Sequence, residues 1–108
     1  MASRGSTQTG RHGIVKLVWA RPASIDRKAI REHIAQDNPA AALALDELFS
    51  EKAGLLTDHP NMGRPGRVSG TRELVAHQNY VLVYDVAGDT VRVLRLLHAA
   101  RQWPASRP

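Results

Sequence analysis

Thr71–His98, TRELVAHQNYVLVYDVAGDTVRVLRLLH, is the one long segment dense in Val, Leu and Tyr that also carries turn chemistry inside it. It reads as three antiparallel strands: Arg72–Ala76, a turn at His77-Gln78-Asn79, Tyr80–Val86, a turn at Ala87-Gly88-Asp89, and Thr90–Leu97. Period-two alternation sets Tyr80, Leu82, Tyr84 and Val86 on one face of the middle strand and Val81 and Val83 on the other. Both faces are apolar, so the strand is central. On the last strand the same alternation puts Arg92 and Arg95 on opposite faces.

The sequence before the meander supplies the cover. Residues 1–13, MASRGSTQTGRHG, are polar and without periodicity, the pattern of a disordered leader or of residues added for expression; residues 14–108 form one domain. Ile14–Ala20 is a further strand, ended by Arg21-Pro22. Ser24 is placed to cap a helix running to about Gln36, with Asp26 in its first turn and Ile30 and Ile34 on its apolar stripe. Asn38-Pro39 then caps and opens a second helix with Ala41, Leu45, Leu48, Phe49 and Leu56 at helical spacing, weakened or ended at Gly54. The order β-α-α-β-β-β gives an α+β domain, with a helical hairpin on one face of a four-stranded, mainly antiparallel sheet. Thr57–Gly70, with two prolines and three glycines in fourteen residues, is an irregular rigid loop that presents Arg64 and Arg67 outward.

Composition narrows the function classes. The chain has 108 residues, no cysteine and a formal charge of +5, with a sequence pI near 10.4. A disulfide framework and thiol chemistry are excluded, there is no uninterrupted apolar run of bilayer length, and the cationic excess suits a polyanionic or acidic macromolecular partner. A cytoplasmic location fits this usage. His33, His59 and His77 lack metal-ligand spacing, and phosphate-loop, dinucleotide and serine-elbow motifs are absent, so neither a metal nor a cofactor is expected.

The run HPNMGRPGRVSGTRELV, the central NYVLVYDV and the ending VRVLRLLHAARQW resemble the RelE/ParE superfamily of toxins from bacterial type II toxin–antitoxin pairs, over roughly Ile14 to Trp103. The resemblance implies a β-α-α-β-β-β fold, a cognate antitoxin that neutralises the toxin, and operator DNA contacted only through that antitoxin. It also implies one of two targets: the ribosome with its mRNA, cut by RelE-like endoribonucleases, or DNA gyrase, poisoned by ParE-like members without known nuclease activity. Nuclease members resembling GYRLVY carry an arginine after the tyrosine; here Val81 stands there, which favours the gyrase branch. Should RNA be cleaved, His98 is the candidate acid or base, with Arg72 and Tyr80 beside it; the plainer reading of His98 is a strand-end histidine bonded to backbone. Arg64, Arg67, Arg72, Arg101 and Trp103 are the candidate target contacts, and Trp103 equally suits an apolar lid on the sheet.

Overall fold

The computed structural model describes residues 16–99. In chain order these form strand β1 (Lys16–Trp19), helices α1 (Arg21–Ala35) and α2 (Pro39–Asp58), and strands β2 (Arg64–Pro65), β3 (Arg72–His77), β4 (Tyr80–Ala87) and β5 (Thr90–His98). They build one mixed sheet of five strands, ordered β1-β5-β4-β3-β2, in which β1 runs parallel to β5 and the other neighbours are antiparallel. The expected four strands are therefore joined by a fifth. Two residues of the Gly/Pro loop, Arg64 and Pro65, pair with Glu73 and Arg72 at the edge of β3, where a proline is tolerated.

The helix start differs from the sequence expectation. Arg21-Pro22 does not separate strand from helix but is the helix's first turn, since Pro22 needs no hydrogen-bond acceptor there and its fixed φ suits the helix. Ser24 consequently lies inside α1, its amide donating to the Ala20 carbonyl at 3.0 Å, and Asp26 lies beyond the first turn. Asp26 has another task. The outer edge of β5 is paired with β1 only as far as Val93, and beyond it Asp26 Oδ2 accepts the Leu96 amide at 3.0 Å and the Arg95 guanidinium at 2.7 Å. One carboxylate thus replaces the missing strand at an otherwise open edge.

Asn38 caps α2 as expected, its Oδ1 accepting the Ala41 amide at 3.0 Å. The buried stripe of α2 is Ala42, Phe49, Ala53 and Leu56, so Ala42 takes the place expected of Ala41. Phe49 and Ala53, with Ala23 of α1 and Ala76, Leu82, Val93 and Leu96 of the sheet, form the main core, while Leu56, Tyr84 and Val91 form a second cluster nearer the Gly/Pro loop. Each large side chain here stabilises the fold by about 1.5–3 kcal/mol through apolar burial. The two helices are cross-linked by Asp46, which accepts from Arg27 at 2.8 Å and from Arg31 at 3.3 Å, and Arg27 also lies over the Trp19 ring at 4.6 Å.

Two outcomes follow from this packing. Gly54 sits within α2, and a Cβ there would meet no atom within 4 Å; Gly54→Ala is expected to raise stability by about 0.5–1 kcal/mol, read as a higher urea midpoint at unchanged slope. The hydrogen bond from Arg27 holds the Asp46 carboxyl below its ordinary range, against the opposing effect of burial. A lowered folded-state pKa gives stability present in full above the unfolded value of about 3.9 and lost as pH falls through the lower folded value. Asp46→Asn should accordingly be less stable than wild type at neutral pH, with the gap closing below about pH 4 in acid titrations; a pH-independent gap contradicts this assignment.

Candidate target-binding surface

Strand register decides what each face carries. Arg72, Leu74, Leu82 and Tyr84 point with the core residues toward the helices, whereas Glu73, Val75, Val81, Val83 and Leu97 belong to the outer face. On β5 the register slips between Val83 and Tyr84, which oppose Arg95 and Val93, so Leu94 is an extra, bulged residue. The bulge cancels one step of alternation and puts Arg92 and Arg95 on the same side, opposite Asp85 and Val83, where regular alternation had separated them. Arg92 forms a paired fork with Asp85 at 2.8 and 2.6 Å; that bond raises the Arg92 pKa, and the Asp26 bond does the same for Arg95.

The middle of the outer face is apolar. Val83 is 0% exposed, and Val81 lies between Val75 and Leu97 in a cross-strand row. A recess of about 10 Å³, lined by Arg67, Glu73, Val81, Val83, Leu97, His98 and Ala99, has room for about one water. This surface can bind a macromolecule by area and placed charge; the recess does not enclose a nucleobase.

The cationic end of the face is built by the loop from residue 60 to residue 71, which is pinned from both sides of the sheet. From the helix side, the buried Tyr84 hydroxyl donates to the Pro60 carbonyl at 2.7 Å and accepts the Gly63 amide at 2.9 Å. Gly63 is required by this approach: a Cβ would lie 2.8 Å from both the Glu73 carbonyl oxygen and the Tyr84 ring. Arg72 holds the same segment, donating from Nη1 to the Gly63 carbonyl at 2.7 Å. From the outer side, Glu73, with its side chain 2% exposed, accepts from Arg64 Nη2 at 3.3 Å and from the Arg67 backbone amide at 3.1 Å, with Arg67 Nε at 3.8 Å. Arg64 and Arg67 remain 59% and 50% exposed.

The sequence-derived candidates form two groups that meet at the recess, which Arg67 and His98 both line. Arg64 and Arg67 converge on Glu73, with Arg72 behind them on the loop carbonyls. Tyr80 and His98 are paired at the far end of β4 and β5, their rings edge-on with centroids 5.1 Å apart, and Phe49 and His77 contact Tyr80 from either side. Arg72 opposes Tyr84, four residues along β4 from Tyr80, a distance of about 13 Å. Arg72 is therefore not gathered with His98 and Tyr80. Arg101 and Trp103 lie outside the described residues. Among the described residues no three His, Asp or Glu side chains are grouped as metal ligands. Glu73 and the Tyr84 hydroxyl were not singled out from sequence, although Glu73, between loop arginines and a valine-rich strand, is an acidic residue on an apolar face and carries a signal.

The sequence profile of the family described as ParE toxin of type II toxin–antitoxin system, parDE, matches residues 17–103. The chain belongs to the ParE toxin family. The toxin is 34% identical over 90 residues to Y4kP of Sinorhizobium fredii, a protein designated a toxin, with 82% of this chain and 93% of the relative covered. It is 36% identical over 88 residues to Toxin RelE2 of Caulobacter vibrioides, with 82% and 99% covered. Its fold is similar to a chain of the chromosomal ParDE toxin–antitoxin system of P. aeruginosa, with a TM-score of 0.73 and 28% identity over 79% of this toxin and 96% of that chain. No described helix of the toxin is long and apolar enough to cross a membrane.

Tyr84→Phe leaves the part-buried Pro60 carbonyl and the buried Gly63 amide without their partner. The variant is expected to lose about 1–3 kcal/mol in urea unfolding, with hydrogen exchange at the Gly63 amide accelerated more than in α2; equal acceleration in both places contradicts a local anchoring role.

Proposed function

We propose that this toxin arrests growth by binding DNA gyrase, without making or breaking a bond with its own side chains, and that a cognate antitoxin with an acidic segment neutralises it in the cytoplasm. The observation that carries this reading is Val81. The position at which the nuclease resemblance calls for a phosphate-binding arginine is a valine between Val75 and Leu97, and although Arg67 and His98 line the adjoining recess, the valine itself offers no charge to a phosphorane. The separation of Arg72 from His98 and Tyr80 supports the same reading, because acid–base cleavage of RNA needs these groups within hydrogen-bond reach of one phosphate. An apolar patch edged by Arg64 and Arg67 suits a protein or protein–DNA surface. Membership of the ParE toxin family and the fold shared with a ParDE chain support the antitoxin as partner. The toxin–antitoxin pair represses its own promoter, with the operator DNA reached through the antitoxin.

The test is a supercoiling assay with purified gyrase, run beside induction of the toxin in cells. Gyrase inhibition that survives His98→Ala and is relieved by antitoxin is the expected result. Loss of messenger RNA within minutes of induction, abolished by His98→Ala, overturns the proposal in favour of the ribosome.

A further inference from the structure

We propose that Glu73 is a positioning residue, which acts on the target through Arg64 and Arg67 by fixing where their guanidinium groups stand. A carboxylate with 2% of its side chain exposed is costly to bury, and a sheet face already carrying Val75, Val81 and Val83 would accept an apolar residue at this position. Glu73 instead stays acidic and divides its two oxygens: Oε1 takes the Arg64 side chain, and Oε2 takes the Arg67 backbone amide with the Arg67 side chain alongside. The segment between them is closed independently. Gly66 donates its amide to the Thr71 carbonyl at 2.8 Å, the Thr71 hydroxyl and amide both donate to the Val68 carbonyl at 2.6 and 3.1 Å, and Gly70 turns the chain at φ +85°. The loop can therefore close without Glu73, and what the carboxylate adds is the placement of two half-exposed arginines.

Placement matters because a free arginine must lose rotamer freedom when it docks. Held from below, Arg64 and Arg67 present their guanidinium groups already ordered. This inference rests on the reading of these arginines as target contacts. It does not depend on which target they meet.

Charge and placement predict opposite signs, which makes the test sharp. Glu73→Gln keeps an acceptor for the Arg67 amide but removes one negative charge beside the arginines, so attraction to a polyanion by charge alone would strengthen. Positioning requires it to weaken. The toxin, Glu73→Gln, Arg64→Ala/Arg67→Ala and the triple variant are induced to matched levels and scored for growth arrest, and nitrogen relaxation at the arginine Nε atoms is measured on the purified proteins. Glu73→Gln should retain the far-ultraviolet spectrum, gain mobility at Arg64 and Arg67 Nε, and need roughly tenfold more toxin for the same arrest; in the background lacking both arginines it should add nothing. Arrest as strong as or stronger than wild type, unchanged arginine mobility, or an equal loss in the double-alanine background overturns the proposal. If Glu73→Gln does not fold, Arg64→Lys/Arg67→Lys decides: it keeps the charge and discards the guanidinium geometry, so weakened arrest is expected and full potency is the contrary result. Growth arrest that obeys these rules while gyrase is unaffected would refute the gyrase reading and leave the role of Glu73 standing.

Discussion

A carboxylate buried on the outer side of a sheet must be met by donors, and the way Glu73 is met organises the candidate binding end of this toxin. Its partners come from the loop before it, so Arg64 and Arg67 are both tied to one side chain beside the edge where the two-residue strand β2 pairs with β3. On the opposite side, the Tyr84 hydroxyl and the Arg72 guanidinium bind the backbone of the same loop. A segment rich in glycine and proline thereby becomes part of the sheet. Little of this relies on local propensity; it relies on buried polar groups finding partners.

The charge of the toxin is less free than its composition suggests. Asp46 engages Arg27 and Arg31, Asp26 engages Arg95, Asp85 engages Arg92, and Glu73 is shared between Arg64 and Arg67. The outer face is accordingly a valine patch with guanidinium groups set at its borders. Recognition by such a surface depends on apolar contact area and on a few placed arginines, and long-range attraction contributes mainly to the rate of encounter. Two half-exposed arginines around a single buried carboxylate leave a local excess of one positive charge.

How much of this was legible in the sequence depended on whether a feature is periodic. The meander from Arg72 to His98, the Asn38-Pro39 cap and the helical hairpin all follow from alternation and turn residues, and the structure agrees to within a residue or two. The start of α1 departs from expectation because Arg-Pro suits two places, the end of a strand and the first turn of a helix, and here it takes the second. The β5 bulge at Leu94 has no compositional mark, and it reversed the relation of Arg92 to Arg95. Arg64 and Arg67 could be chosen from the loop's rigidity, but Glu73 gains its role only from the pairing of β3 with β2 and β4, a non-local fact. Likewise, Arg72 belongs to the same meander as Tyr80 and His98 yet is divided from that pair by about 13 Å of strand.

The proposed working surface is the outer side of β3 and β4 together with the loop whose arginines Glu73 holds, away from the helical hairpin. Hydrogen exchange of the toxin, free and bound to gyrase, addresses that directly. Slowed exchange at residues 61–73 and along β3, with the solvent-facing amides at the start of α1 and α2 unchanged, is the predicted footprint. Slowing confined to the two helices, with the loop exchanging as in the free toxin, would contradict it.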